Sequence, residues 1–301
     1  MMDWPEHEVA SWAEFLQWAM DTTSIRPGKF AFRGQEEASW RLRPSLIREI
    51  VGATSLVGEG ASITREEVLA VEESCRRHFV KEGFRHLSHG EQVDHPDKAG
   101  KVSWWALMQQ YGAATRLLDW TRSVFVGAYF AVRDCGVART AGAVWYFDQE
   151  RLREAFAART GMKELVVQAG DLDRMLSEYA EQELVVGFGQ GVASEREVAQ
   201  QGMVTVCTDV LADHADAIGG LLRDQYGDEG QKPGMFGRVV IPFAEKYTFW
   251  LRLEEMNVRA AVLFPGIDGV GRTVREEAWV GGLGRVLDRA GAGDARKVAL
   301  K

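Results

Sequence analysis

An arginine at the end of a short apolar segment is the residue in this chain best suited to binding an anion. Lys29-Phe30-Ala31-Phe32 has the character of a buried strand, and Arg33 and Gly34 follow it directly. A guanidinium on rigid backbone binds a phosphate or carboxylate through paired hydrogen bonds, and its burial is costly without such a partner. The missing side chain of Gly34 lets a ligand or another backbone segment approach. Two interpretations stay open: an anion-binding arginine, or an internal ion pair between Arg33 and a carboxylate.

The densest set of polar residues in apolar surroundings lies further along, in Thr115-Arg116-Leu117-Leu118-Asp119-Trp120-Thr121. A strand here would turn the two threonines and Asp119 to one face and Arg116 and Trp120 to the other. Asp119 and the threonines are then expected to face a cleft, with Trp120 in the core. Because buried arginines need a counter-charge, the alternative is that Asp119 pairs with Arg33 or Arg116 and stabilises the architecture.

Two glutamines and a glycine, Gln200-Gln201-Gly202, follow a short helix that is expected to begin near Ser194. Glutamine amides can hydrogen-bond a ribose or an amide ligand, but they cannot act as a base at neutral pH. The structural alternative is that Gly202 ends the helix in a left-handed conformation, with the glutamines as ordinary polar neighbours.

The segment Leu184–Gly191 imitates a dinucleotide-binding turn, because a Gly-x-Gly loop follows an apolar strand. However, Val192 stands where the third glycine belongs, and the stretch before the next strand is short for a crossover helix. We therefore expect a surface loop here and not a Rossmann site.

Three histidines, His86, His89 and His95, surround a polar loop, and the first two have the i, i+3 spacing that can chelate a metal. Gly83 and Gly90 make a helix unfavourable at this place. Exposed loop histidines are the expected interpretation, and the sequence predicts no metal site.

Composition limits the classes of function. With 46% hydrophobic residues and ten tryptophans among 301 residues, the chain can bury a substantial core. Its net charge of −8 argues against a broad, sequence-independent nucleic-acid surface. Three widely separated cysteines and no signal peptide predict a cytoplasmic protein. No apolar run approaches the roughly 20 residues that span a bilayer, so no membrane association is expected.

Capping and hydrophobic patterns predict the elements that position these residues. Ser11-Trp12-Ala13-Glu14 and Thr64-Arg65-Glu66-Glu67 are capping boxes that each begin a helix. The second helix is expected to bury Val68, Val71, Cys75 and Phe79. The other predicted elements are a loop at 51–62, helices at 103–110, 124–132 and 246–255, strands at 143–147 and 237–241, and a strand or buried element at 260–264.

Helices and strands mix without regular βαβ alternation, and no repeat or linker divides the chain. We expect one α+β domain with a mixed, mainly antiparallel sheet core flanked by helices. Residues 1–28 are assigned to an N-terminal helix packed on the core, 29–280 to the α+β domain and 281–301 to a fraying C-terminal tail.

Several segments follow one another in the order that is typical of one bacterial family. They are Phe32-Arg33-Gly34-Gln35, Trp40-Arg41-Leu42-Arg43-Pro44-Ser45-Leu46-Ile47-Arg48, the run from Met108 to Thr121, Ala128-Tyr129-Phe130-Ala131, Arg196 with Gln200-Gln201-Gly202, and the run from Leu263 to Gly269. From about Phe30 to about Gly271 the chain resembles the FRG domain family, which is named for its Phe-Arg-Gly signature. Relatives typically carry histidine where this chain has Gln110, so a general base is not expected at that position.

The same arrangement is similar to that of ADP-ribosyltransferases, in which an arginine on the first strand holds the phosphates of NAD. This resemblance implies that NAD is the substrate, with no metal. The implied NAD-binding residues are Arg33, Gly34, Gln35, Thr115, Arg116 and Thr121. The implied catalytic residues are Arg33, Asp119, Gln200 and Gln201. The usual glutamate of those enzymes has no clear counterpart, and Glu195 and Glu197 are candidates for it.

Three functions are compatible with these residues. The first is an NAD-dependent ADP-ribosyltransferase-like or NAD-cleaving effector of bacterial defence or toxin type, acting on a protein or nucleic-acid acceptor. The second is a non-catalytic module that senses a nucleotide or a phage component through the same arginine. The third is a nuclease acting on nucleic-acid ends, which would need a metal-binding carboxylate set or a histidine base.

Overall fold

The computed structural model describes residues 4–23, 28–56, 58, 62–87, 100–133, 139–162, 169–188, 194–227 and 234–289. Within them the strands are β1 (Glu6–Glu8), β2 (Phe30–Gln35), β3 (Leu117–Thr121), β4 (Gly142–Asp148), β5 (Val185–Phe188), β6 (Gly202–Cys207) and β7 (Phe236–Ile241). The α-helices there are α1 (Trp12–Thr23), α2 (Ser45–Ser55), α3 (Arg65–Gly83), α4 (Lys101–Gln110), α5 (Val124–Val132), α6 (Gln149–Thr160), α7 (Ala169–Glu178), α8 (Glu195–Ala199), α9 (His214–Tyr226), α10 (Lys246–Glu255), α11 (Ala260–Leu263) and α12 (Ile267–Arg289).

The strands form one mixed sheet in the order β1-β7-β4-β2-β3-β6-β5. Neighbouring strands are antiparallel except for β1 and β7, which are parallel. Helices cover the sheet, so this is an α+β protein with a mainly antiparallel core, as the sequence predicts. Since β5 and β6 are antiparallel, the glycine-containing segment between them does not belong to the parallel βαβ unit of a dinucleotide-binding fold.

Each face of the sheet has its own hydrophobic core, because successive side chains of a strand point to opposite faces. One core joins Phe32 and Tyr146 to α1, α5 and α10. The other joins Trp145 to α4, α6, α7 and α9. Both faces are therefore closed to water over most of the sheet, and polar groups gather where strands end or diverge.

Strands β2 and β3 diverge beside Arg33. β2 pairs with β4 along its whole length, but its registered pair with β3 is Phe32 with Thr121. β3 in turn pairs with β6 from Leu117 to Thr121. The strands that carry Arg33 and Asp119 are adjacent in the sheet without a continuous ladder between them, which leaves room for a polar side chain to cross.

Most of the predicted elements are confirmed. The Ser194 hydroxyl accepts the amide of Glu197, and the Glu197 carboxylate accepts the amide of Ser194, so α8 begins with a capping box near the predicted position. Helices α1 and α3 begin at their predicted capping residues. The small-residue run from Val124 to Val132 is the buried helix α5 and not a strand.

At 260–264 the structure has the expected buried element and not the strand, since 260–263 form a helical turn that buries Ala260 and Leu263. Three local predictions are wrong. The segment expected as a loop is helical as far as Ser55, because Leu46 and Ile47 anchor α2 in a small core. Helix α4 begins at Lys101, before the expected Ser103 cap. Helix α12 continues to Arg289, past the expected start of the tail. None of the described helices combines the length and apolarity that crossing a bilayer requires.

The buried stripe of α3 also differs from the prediction. Val68 is buried, but Val71 and Cys75 are exposed, and Glu72 is buried instead. The apolar pattern misplaced the stripe by one position because the partner of Glu72 is an arginine on a distant segment, which a helical periodicity cannot show.

Candidate functional site

Arg33 crosses the gap between β2 and β3 without meeting a carboxylate. Its Nη1 donates to the main-chain oxygen of Asp119 at 2.6 Å. Its Nε is shielded from water and has no hydrogen-bond partner. Among the described residues no acidic side chain forms an ion pair with Arg33. The interpretation of Arg33 as half of an internal arginine–carboxylate pair is therefore wrong for the part of the chain that the structure describes.

The electrostatics of Arg33 favour an anionic ligand. The pKa of Arg33 is lowered to about 10: burial is the main cause, the negative charge of Asp119 opposes the shift, and the positive charges of Arg48 and Arg133 contribute to it. A cation in such surroundings is still charged at neutral pH, but it lacks the counter-charge that would offset its desolvation. An anion with several oxygens would supply that charge together with acceptors for the unused N–H groups.

A cleft opens over β3 and β6 at Asp119, whose main-chain oxygen holds Arg33, and it encloses about 540 Å³ counting the space open to solvent. Its lining residues are Ala106, Gln109, Gln110, Asp119, Trp120, Ser194, Arg196, Glu197, Gln200, Gly202, Met203 and Val204. The lining includes several amide side chains and the exposed carboxylate of Asp119. A ligand here would meet several hydrogen-bond donors and acceptors.

Arg196 brings a second guanidinium to the cleft. It lies over the ring of Phe264, 4.8 Å from the ring centroid, and Arg272 lies 4.2 Å from the same centroid. Burial lowers the pKa of Arg196; Asp119 raises it and Arg272 lowers it. Arg272 pairs with Asp268, whereas in the described part of the chain Arg196 has no ion pair. Two cations on one aromatic ring repel each other, so an anion between them would be stabilising.

Asp119 is close enough to both half-buried arginines, Arg33 and Arg196, to interact with them electrostatically. Its negative charge raises the pKa of both Arg33 and Arg196, while its side chain is exposed at the cleft. Arg33 donates to the main-chain oxygen of Asp119 and not to its carboxylate. The carboxylate has no ion pair among the described residues. Of the three polar residues expected to face a cleft from this segment, Asp119 does so.

The two threonines of that segment are buried and position glutamines. Thr115 Oγ1 donates to Gln109 Oε1 at 3.0 Å, so the NH₂ group is what Gln109 can offer to the cleft. Thr121 Oγ1 donates to the main-chain oxygen of Gln200 at 2.6 Å. Neither hydroxyl lines the cleft, and the expected contact of Thr115 or Thr121 with a ribose is replaced by contacts that fix the amides around it.

The turn after α8 brings one of its two glutamines to the cleft. Gln200 lines it, and its Nε2 donates to the main-chain oxygen of Leu263 at 3.0 Å. Gln201 is exposed and its main-chain oxygen accepts the amide of Arg122. The left-handed residue is Gln201, with φ of 49°, and not Gly202, which begins β6. This strained turn is held by Thr121 and Arg122 on the neighbouring strand.

Gly34 and Gln35 lie against other parts of the protein. A Cβ on Gly34 would lie 2.0 Å from the main-chain oxygen of Gly127, so the glycine admits the backbone of α5. Gln35 is buried, donates to the main-chain oxygen of Arg41 and accepts from the indole of Trp145. Both residues support the strand that carries Arg33, and neither lines the cleft.

A buried hydrogen-bonded chain supports the floor of the cleft. Trp120 Nε1 donates to Thr205 Oγ1 at 2.8 Å, and this oxygen lies 3.2 Å from His214 Nδ1. Burial, followed by the positive charges of Arg33 and Arg116, lowers the pKa of His214 to about 3. The imidazole is therefore neutral and can accept the proton of Thr205, which keeps Trp120 in place.

Arg116 points away from this cleft. Its Nε donates to Glu72 Oε1 at 2.6 Å and its Nη2 donates to Glu72 Oε2, with both residues buried. Its guanidinium lies 4.9 Å from the ring centroid of Trp105. Arg116 therefore pairs with Glu72 and not with Asp119, and it belongs to a second cavity.

Breaking the buried pair is expected to destabilise the fold. Glu72→Gln leaves Arg116 charged and buried, which should lower the free energy of unfolding by about 3–5 kcal/mol. Glu73→Gln is the matched control, since Glu73 is more exposed and pairs with Arg76 on the same helix, a contact worth about 0–1 kcal/mol. Urea unfolding measures both. Equal losses in the two variants would contradict the assignment of this pair as a buried one.

No described group of three His, Cys, Asp or Glu side chains is arranged to hold a metal ion. His86 is exposed in a short 3₁₀ helix, whereas His89 and His95 lie outside the described residues.

The comparison with protein families bears on the segment that carries Arg33. Residues 28–138 match the model of the FRG domain. This chain contains an FRG domain. The match includes β2, β3 and α5, and so Arg33, Asp119 and the helix that packs on Gly34. No curated protein and no solved structure matches the chain.

The rest of the site comes from outside the matched segment of the FRG domain. Arg196 lies on α8, Phe264 follows α11 and Arg272 lies on α12. The sequence motif Arg196–Gly202 indicated the α8 contribution, but the Phe264–Arg272 contact joins residues with no local pattern. Gln109 was not singled out either. The signal that could have found it is its position at the end of α4, directly after the buried Met108.

Proposed function

We propose that this protein binds NAD in the cleft beside Arg33 and cleaves the bond between nicotinamide and ribose. The observation that carries the proposal is the pair of half-buried arginines, Arg33 and Arg196, which are both close to one exposed carboxylate, Asp119, and have no ion pair of their own among the described residues. A pyrophosphate supplies the negative charges and the several oxygens that two guanidiniums require.

Each side chain takes a role that its contacts permit. Arg33 and Arg196 would bind the two phosphates. Gln109 and Gln110, at the end of α4, would hydrogen-bond the nicotinamide ribose or the carboxamide. Asp119 would lie beside the ribose, where its negative charge stabilises the positive charge that develops as the glycosidic bond breaks.

The reaction is a substitution at the anomeric carbon of the nicotinamide ribose. The carbon–nitrogen bond breaks, its electron pair leaves with neutral nicotinamide, and an oxygen of water or of an acceptor bonds to the carbon. The proton of that nucleophile passes to Asp119 or to solvent. Gln110 cannot take this proton, and the carboxylate of Glu197 is held in the cap of α8, which leaves Asp119 as the base.

The proposal is tested by nicotinamide release from NAD, with Asp119→Asn as the variant. This substitution keeps the main-chain oxygen that holds Arg33, so binding of ADP-ribose should change less than about 3-fold. The turnover number should fall by about 10²–10³-fold, the typical cost of removing one stabilising group at a developing charge. Glu195→Gln, an exposed carboxylate on α8 outside the lining of the cleft, is the control and should keep full activity. Failure of the folded wild-type protein to bind NAD would refute the proposal.

A non-catalytic sensor is the second candidate, and Glu197 favours it. This glutamate lines the cleft, but its carboxylate accepts the amide of Ser194 in the capping box of α8. A carboxylate committed to a helix cap is less available for chemistry at the ribose. NAD binding that depends on Arg33 without nicotinamide release would support the sensor over the enzyme.

A further inference from the structure

A second cavity lies between α3, α4 and α7, beside the buried pair of Arg116 and Glu72. It encloses about 690 Å³, counting the space that is open to solvent. Its residues are Arg65, Leu69, Glu72, Glu73, Lys101, Trp105, Arg116, Asp173, Leu176, Ser177, Ala180, Thr208 and Val210. None of them lines the first cleft, so the two sites are distinct.

Three polar groups around this cavity have unused hydrogen-bonding capacity. Arg116 is buried and uses Nε and Nη2 for Glu72, so its Nη1 has no partner within the described chain. The indole N–H of buried Trp105 has none either. Asp173 accepts the amide of Lys101 through Oδ2, and its shielded Oδ1 is unpartnered. Leaving such groups unsatisfied is costly, and a ligand that pairs with them would be stabilising.

The charges of the lining select against an ionic ligand. Three cations, Arg65, Lys101 and Arg116, are matched by three anions, Glu72, Glu73 and Asp173. The unused groups are two donors and one acceptor, so the complementary ligand presents an acceptor oxygen beside an N–H donor. Leu69, Leu176 and Val210 add an apolar wall for the rest of the molecule.

We propose that this cavity binds a small uncharged molecule that carries an amide-like edge on an apolar or aromatic body. The amide oxygen accepts from Arg116 and Trp105, and the amide N–H donates to Asp173. The site goes beyond the proposed NAD cleavage and does not depend on it. Helix α4 borders both sites, so a ligand here lies against the element that carries Gln109 and Gln110.

Three probes of one shape test the proposal: phenylacetamide, phenylacetate and phenylacetamidine, titrated into the full-length protein and followed by calorimetry or ligand-detected NMR. Phenylacetamide should bind with a Kd of about 1 mM or tighter, as expected for a ligand of this size. The anionic and cationic analogues should bind at least about 10-fold weaker. No binding of phenylacetamide, or equal binding of all three, would overturn the proposal.

Variants locate the binding. Ala180→Trp fills the cavity and should abolish phenylacetamide binding, whereas Ala70→Trp, the same substitution on the exposed face of α3, should not. Asp173→Asn keeps an oxygen for the Lys101 amide and puts NH₂ in place of the unpartnered oxygen, so preference should move from phenylacetamide toward phenylacetate. Thermal melting checks that each variant is folded. Binding that survives in folded Ala180→Trp would place the probe elsewhere and refute the site.

Discussion

Replacing Arg33 by glutamine is expected to weaken the binding of NAD and of ADP-ribose by at least about 30-fold, with the protein still folded. The loss follows from the environment of the guanidinium, whose Nε is shielded from water and whose Nη1 is held by one main-chain oxygen, with no ion pair in the described residues. Removing one partner of a desolvated charge pair typically costs about 2–5 kcal/mol, or about 30- to 5,000-fold in affinity.

The controls separate a binding role from a structural one. Arg153→Gln removes the same charge from the exposed face of α6 and should leave affinity within about 2-fold. Arg33→Lys keeps the charge but loses the planar fork, so it should retain only part of the affinity. Calorimetry with ADP-ribose measures binding apart from turnover. A loss of folding in Arg33→Gln together with unchanged affinity in the folded fraction would make Arg33 a structural residue.

The pH dependence of binding gives a second readout of the same group. Because the pKa of Arg33 is lowered to about 10, its charge is present at neutral pH and is lost as the pH rises through that value. Affinity for ADP-ribose should therefore be flat near neutrality and decline on the alkaline side. An ordinary exposed arginine would show no decline in that range, since its pKa lies above 12.

The parts of the fold that the sequence predicts are those with a local cause. Helix α5 follows from a run of small and apolar residues that suits a buried helix, and the capping boxes at Ser11 and Thr64 place the starts of α1 and α3. In contrast, β1 has no strand pattern: its three residues are exposed and polar, and they form a strand because β7 offers an edge.

The candidate site also has residues that the sequence reveals and residues that it does not. Arg33 and Asp119 are recognisable because each is a polar residue at an apolar strand. The contact of Phe264 with Arg196 and Arg272 is not recognisable, because it joins α8 to α12 through tertiary packing. The burial of Glu72 is hidden for the same reason, since its cause is an arginine 44 residues away. Charge pairing over long sequence distances leaves no periodicity to detect.

Helix α5 packs on strand β2, which carries Arg33, with no side chain between them, and this contact predicts a large loss of stability. A methyl group on residue 34 would lie 2.0 Å from the Gly127 oxygen, 2.5 Å from the Ala131 nitrogen and 2.7 Å from Phe130 Cβ. Since two of these atoms are backbone, rotamer changes cannot relieve the overlap, and α5 must move as a unit. Gly34→Ala should lower the free energy of unfolding by at least about 3 kcal/mol, the upper end of the usual cost of overpacking.

Gly271→Ala is the matched control for this substitution. Gly271 lies inside helix α12, and a Cβ there meets nothing within 4 Å. Alanine is the better helix former by about 1 kcal/mol, so this variant should be slightly more stable than the wild type. We therefore expect chemical unfolding to show shifts of opposite sign in the free energy of unfolding of the two variants, although both add the same methyl group. An unfolding midpoint of Gly34→Ala equal to that of the wild type would show that the strand has room for a methyl group beside α5. The glycine of the Phe-Arg-Gly signature would then be explained by contact with a ligand and not by packing.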